Sequence, residues 1–117
     1  MGKYITHTQT LFSGTATETG NTQSTPVSSK YSEEGTFFLD VTAASGTDET
    51  LDVTIQVYDS VGGNWHTLAT FDQKTTTGTD VGFVEYGLAA KIAVLYTIGG
   101  TNPSFTFSVS VLLKDRL

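Results

Sequence analysis

The side chains able to move a proton near neutral pH are two histidines, His7 and His66, and there is no cysteine to act as a nucleophile. His7 stands among Thr6, Thr8 and Thr10, and His66 follows Trp65, so each lies in an alternating run typical of a strand. Carboxylates offer a second chemistry. Glu33 and Glu34, Asp48 and Glu49, Asp52 and Asp72 could in principle form the acid and base pair of a glycoside hydrolase. The oxygen-rich stretches 47–50 and 79–80 could hold calcium, but the spacing of an EF-hand is absent. No His-x-x-x-His, Gly-x-Ser-x-Gly or phosphate-cradling glycine loop occurs. Turn capping and solvation account for the carboxylates, and ordinary sheet positions for the histidines. The sequence therefore predicts no enzyme, no bound metal and no cofactor. The remaining chemistry is adhesive: Tyr58, Trp65, His66 and Tyr86 near hairpin ends could stack on a sugar ring. In the competing reading, Trp65 fills the core beside Phe71 and Phe37.

These side chains must be positioned by strands. Residues 36–43 place Phe37, Leu39, Val41 and Ala43 on one face and Asp40 and Thr42 on the other. Residues 51–58 repeat the device with Leu51, Val53, Ile55 and Val57 inward and Asp52, Thr54 and Gln56 outward. Residues 105–113 do so again with Phe105, Phe107, Val109, Val111 and Leu113. The run 91–98 is more continuously apolar, as in a central strand or one whose second face is covered. Weaker strands fall at 4–12, 65–71 and 81–86, and threonine, the most frequent residue, suits a pleated surface. Glycine-bearing clusters at 13–14, 44–50, 59–64, 75–80 and 99–104 separate these runs as turns. No stretch combines helical length with helical period. The fold class predicted is all-β, an antiparallel β-sandwich of jelly-roll type with about eight strands, in one domain spanning 1–117. Residues 15–35, rich in Thr, Ser, Gly and Asn, read as a long loop or extended arm.

One internal correspondence stands out. Gly46-Thr-Asp, leading into the strand to Val57, aligns without a gap on Gly100-Thr-Asn, leading into the strand to Val111. Two equivalent hairpins, one from each sheet, would produce it; so would the small alphabet from which β-turns are built.

Composition restricts partners. Six Lys and Arg against 12 Asp and Glu give a formal net charge of −6, and the six positive residues are spread singly, which argues against nucleic acid as a partner. No window approaches the ~20 apolar residues of a membrane span, so no membrane partner is expected. Met1 runs directly into a strand-like pattern, predicting a chain that starts at or near Met1. Asn102-Pro103-Ser104 carries proline in the position that forbids glycosylation.

Four segments in order, 38–47 (Phe-Leu-Asp-Val-Thr-Ala-Ala-Ser-Gly-Thr), 51–56 (Leu-Asp-Val-Thr-Ile-Gln), 63–71 (Gly-Asn-Trp-His-Thr-Leu-Ala-Thr-Phe) and 96–109 (Tyr-Thr-Ile-Gly-Gly-Thr-Asn-Pro-Ser-Phe-Thr-Phe-Ser-Val), carry a family resemblance. The stretch 36–114 resembles small structural proteins encoded in the head and tail gene modules of tailed bacteriophages and prophages; residues 1–35 do not match that group. The resemblance implies a non-enzymatic virion protein made in the host cytoplasm. It would act as a decoration or cement protein on the capsid surface, with the major capsid protein as partner and self-association, as a trimer, as its oligomeric form. Phe38, Ala93, Leu95 and Leu112, apolar residues on the second face of their strands, would then form a subunit or capsid contact; the same residues could equally lie under a loop. The alternative role is a tail or fibre module that binds carbohydrate on the host through Tyr58, Trp65, His66 and Tyr86.

Overall fold

Two very long strands dominate the molecule. In the computed structural model, which describes residues 3–86, 88 and 91–116 and leaves the side chains of 83–86 and 116 undescribed, β4 runs Ser32–Asp59 and β7 runs Lys91–Arg116. They pair antiparallel along nearly their whole length, from Ser32 opposite Asp115 to Val57 opposite Ile92. The shorter strands attach to one half or the other of this ribbon. β1 (Tyr4–Ala16) pairs with the C-terminal half of β7, and β6 (Gly78–Tyr86) with the N-terminal half of β4. On the other side of the middle, β5 (Asn64–Thr70) pairs with the C-terminal half of β4. β2 (Gly20–Asn21) and β3 (Val27–Ser28) pair with the N-terminal half of β7. The fold is all-β and antiparallel, and the seven strands among the described residues form one continuous sheet. Each side of the ribbon's midpoint is thus one layer: β1, β7, β4 and β6 in the first, β2 with β3, β7, β4 and β5 in the second.

The midpoint is made by the two Gly-Thr-Asx triplets, and here the internal correspondence acquires a different meaning. Gly46 and Gly100 have φ of 129° and 106°, and Asp48 and Asn102 have φ of 54° and 50°. Glycine adopts positive φ freely, and Asp and Asn are the side chains that best tolerate the left-handed region. A Cβ on Gly46 would lie 3.0 Å from the carbonyl oxygen of Asn102, and one on Gly100 would lie 2.8 Å from that of Asp48. Each triplet therefore presses its glycine against the backbone of the other. Exchanging the strands maps the pair Ser45–Ser104 onto Thr50–Gly99 and Ala44–Phe105 onto Leu51–Ile98, about Thr47–Thr101 at the centre. The two segments are not tips of separate hairpins, as one reading of the sequence had it. They are the paired bends of a single ribbon, related by a local two-fold.

Folding at these bends brings the two layers together, because their apolar residues share the same face of the sheet. Phe37, Leu39 and Val41 from the first half of β4 join one cluster with Leu51, Val53 and Ile55 from its second half, Ile92 and Val94, and the run Phe105 to Leu113. Phe12 of β1 lies 4.6 Å from Phe107, and both rings meet Tyr96 of the other layer, at 4.9 and 5.6 Å between centroids. Burying each such side chain contributes about 1.5–3 kcal/mol, which is why alternation at this density suffices without a disulfide.

Bulges shift two of the expected alternations. The register slips between Val41 and Ala43, so Ala43 turns out to solvent and Ala44 tucks in instead. Gln56, expected on a wet face, is buried at 8% exposure, and its Oε1 accepts a 2.8 Å hydrogen bond from Gln23 Nε2. Gln23 belongs to the polar segment that follows β1. That segment lies along β7: Thr22 N donates to Val94 O, Val94 N donates to Thr22 Oγ1, and Ile98 N donates to Thr19 Oγ1. It pairs along the edge of 91–98, and Gln23 reaches over the second face at Gln56 and its partner Ala93, which is fully buried; farther along that face Leu95 is half-buried and Thr97 exposed.

Candidate contact surface

The ends of the ribbon remote from the bends lie together. Ser28 of β3 pairs with Lys91 of the second layer, and Ser32 of β4 pairs with Asp115 of the first. Only residues 29–31 join them, a span of at most ~14 Å. One end of the molecule therefore gathers the start of β1, both ends of the β4–β7 ladder, and the β4–β5 hairpin.

Exposed aromatic and aliphatic side chains concentrate at this end. Tyr4 is 41% exposed, Ile5 51%, Tyr31 71% and Val61, at the hairpin tip, 97%. Three rings each carry a lysine: Lys114 Nζ is 4.2 Å from the centroid of Tyr4, Lys91 Nζ 5.0 Å from Tyr58, and Lys30 Nζ 5.5 Å from Tyr31. Such pairs add about 0.5–1 kcal/mol each at exposed sites and hold the ring and the cation in one orientation.

Charge follows the same division. Lys3, Lys30, Lys91, Lys114 and Arg116 occupy this end by sequence position and register, alongside Glu33, Glu34, Asp59, Glu85 and Asp115, which balance them. The bend side holds Lys74 against Glu18, Asp40, Asp48, Glu49, Asp52, Asp72 and Asp80, so the whole formal charge of −6 resides there. The protein has one acidic end and one aromatic end of no net charge, on a body whose extents are 52 × 30 × 19 Å.

Of the residues expected to stack on a ligand, Tyr58 and Trp65 come together. They are cross-strand partners, with ring centroids 5.2 Å apart and inclined at 58°. Trp65 is half-buried against Tyr58 and stands outside the core that holds Phe71 and Phe37, so the core reading of Trp65 does not hold. His66, next along β5, falls on the opposite face of the hairpin, where its Nε2 is 3.4 Å from Asp59 Oδ2. The side chain of Tyr86 lies outside the described residues.

The four expected contact residues divide between the layers. Phe38 and Leu112 share the outer face of the first layer, half-buried, with Val81 of β6 opposite Phe38 and 73% exposed. Ala93 and Leu95 lie on the outer face of the second layer; Leu95 is half-buried beside Asn21, and Ala93, fully buried, pairs with Gln56 beneath the Gln23 cover. Tyr4, Ile5, Lys30 and Tyr31 were not singled out by sequence reasoning. The only signal for them is a lysine directly before a tyrosine at 3–4 and again at 30–31, which becomes informative once both lie at one end.

The titratable clusters are built around backbone and hydroxyl donors. Asp59 accepts from the amides of Gly62 and Val61 at 3.0 and 2.9 Å, closing the hairpin tip. These bonds, with a smaller effect of His66, hold its carboxyl below the ordinary 3.8. Asp115 accepts from Ser32 Oγ and, at 2.8 Å, bonds His7 Nε2; the Ser32 bond first and His7 second lower its pKa. His7 Nδ1 meets Gln9 Nε2 at 3.1 Å. In this cluster the carboxylate stands between the hydroxyl and the imidazole, whereas nucleophilic catalysis needs the imidazole between the other two. The carboxylates considered for calcium, Asp48 and Glu49, line an open hollow at the bends with Thr50 and Thr75, and Asp80 pairs with Lys74 at 2.8 Å. Among the described residues, no group of three or more His, Asp or Glu side chains converges as a metal site.

No protein-family model matches the chain, and no curated protein matches it. Among solved structures, the fold is similar to that of the SPBc2 prophage-derived protein YomS, with a TM-score of 0.50, 12% identity, and 96% of each chain covered. A weaker likeness, TM-score 0.43 at 11% identity, is to a chain in the structure of infectious bursal disease virus, Gx strain; it covers 98% of this chain and 37% of that one. At these identities the likeness to YomS is one of fold.

Proposed function

We propose that this chain is a structural protein of a phage virion, a decoration protein that binds the outer surface of the capsid and stabilises the shell. The observation that carries the reading is the one-ended distribution of adhesive side chains. Tyr4, Ile5, Tyr31, Tyr58 and Trp65 sit with the lysines at the end away from the bends, while the acidic end faces away and keeps the free protein soluble. The fold shared with a prophage-derived protein and the sequence resemblance to phage head and tail proteins support the same assignment. The role is mechanical, with no catalytic residue. A protein that binds the assembled lattice and not its free subunits raises shell stability by linkage.

The test is co-sedimentation of purified protein with capsids of the same phage that lack it. Saturation at a copy number set by the lattice, with a higher melting temperature of the loaded particle, is the expected result. No binding, or loaded shells that melt unchanged, would overturn the cement role. The cross-strand pair of Tyr58 and Trp65 beside Lys91 favours one second reading, a glycan-binding module of the tail or fibre. In that case Trp65→Ala abolishes binding to host glycans, and capsids are not decorated.

A further inference from the structure

β1 is an edge of the sheet, paired on one side by β7 alone, and it is the longest of the edge strands at 13 residues. It contains no proline and no Lys, Arg, Asp or Glu, the residues with which natural edges discourage further pairing. Its first half projects Thr6, Thr8 and Thr10 on the outer face and Ile5, His7 and Gln9 on the other, and most of it is exposed. The bulge between Thr10 and Phe12 ends the regular stretch.

This segment is complementary to itself. If it pairs antiparallel with a copy so that Thr8 faces Thr8, Thr6 faces Thr10 and His7 faces Gln9, hydroxyl meets hydroxyl on one face and the imidazole meets a carboxamide on the other. Cross-strand threonine pairs are among the favourable ones in antiparallel sheets. The matched stretch ends before Leu11, which is buried in the core at 6% exposure. No like charges are opposed.

We infer that the edge of β1 is a self-association site, joining two copies about a two-fold axis at Thr8 and extending the first layer across both. The occupant is a second copy because Thr6, Thr8 and Thr10, evenly spaced on the outer face, supply one another's partners about Thr8. A ladder of this length buries less than the ~1,200–2,000 Å² of a stable dimer, so the contact is weak in free solution and strengthens when both copies are held on one surface. The inference is independent of the virion role and can fail without it.

The absence of cysteine makes the test direct. Residues directly opposite in an antiparallel pair lie within disulfide reach, so a single cysteine on the two-fold axis couples to itself. Under mild oxidation Thr8→Cys is expected to form covalent dimer at least ten times faster than Thr97→Cys, an exposed threonine on the other layer. A mixture of Thr6→Cys and Thr10→Cys is expected to give heterodimer in preference to either homodimer. Thr8→Cys coupling no faster than Thr97→Cys would overturn the site. Fastest coupling between Thr6→Cys and Thr8→Cys would overturn this register, since it belongs to a two-fold at His7. Far-UV circular dichroism of each reduced variant establishes that the fold is intact.

Discussion

The two ends of this molecule are made by opposite uses of the same sheet. At the bend, two Gly-Thr-Asx triplets press backbone on backbone, and positive φ values at four positions fix the chain where side chains have no room. At the far end the backbone is ordinary strand and hairpin, and Tyr4, Tyr31 and Tyr58 each lie under a lysine, with Tyr4 and Tyr31 exposed. The bend is a device for folding; the aromatic end is free to bind. The difference teaches that residues costly to change for stability and residues available for contact are separated along the 52 Å axis.

Substitutions should divide the same way. The largest loss is expected from Phe107→Ala, which empties a fully packed position touching both Phe12 and Tyr96 and so unlinks the layers. A loss of about 3–5 kcal/mol in urea-unfolding free energy is the scale for such a change. Gly100→Ala and Gly46→Ala come next, each costing about 2–3 kcal/mol by forcing a Cβ against carbonyl oxygen at positive φ. Equal losses at the two glycines would support the local two-fold, and a loss at only one would break it.

At the aromatic end the effects on folding are small. Asp115→Asn replaces the carboxylate, whose two oxygens meet Ser32 and His7, by an amide with a single acceptor, and less than about 1 kcal/mol is expected for a partly exposed cluster. Its pH dependence has a definite sign. The folded pKa is lowered from 3.8, so the stabilisation is present above that value and is lost as pH falls through the folded pKa. Thermal melts of the two proteins from pH 7 to pH 2 should therefore converge at the acid end. Trp65→Ala and Tyr31→Ala should change stability least, within about 0.5 kcal/mol for Tyr31 at the surface. Both should weaken binding to capsids by tenfold or more in the co-sedimentation assay; unchanged binding by both would remove the aromatic end as the contact.

The alternation of residues 105–113 could be read directly, because each buried side chain there is two positions from the next and no bulge intervenes. Residues 36–43 were legible up to Val41, where a one-residue slip invisible in composition reverses the face of Ala43. Ala93 was legible as a second-face residue that either forms a contact or lies under a loop, but the burial of Gln56 was not, since what buries it is Gln23, distant in sequence and held by hydrogen bonding more than by hydrophobicity. Tyr58 and Trp65 were named with His66 and Tyr86 as one group near hairpin ends; that these two touch and His66 turns to the other face follows from the hairpin register. Tyr4 and Tyr31 were not, because each is ordinary alone.

Strand content, the buried faces and the lack of helix among the described residues were determined by the sequence itself, through a period of two that local sterics and burial enforce. Its two Gly-Thr-Asx triplets likewise marked where the chain must turn. That the triplets pair with each other, folding one sheet in two instead of making separate hairpins, was decided only by long-range pairing of β4 with β7. The same pairing placed Lys30, Lys91, Lys114 and the exposed rings at one end and the net negative charge at the other. Charge and exposure are properties of single residues, whereas a contact surface depends on which residues the ladder brings side by side.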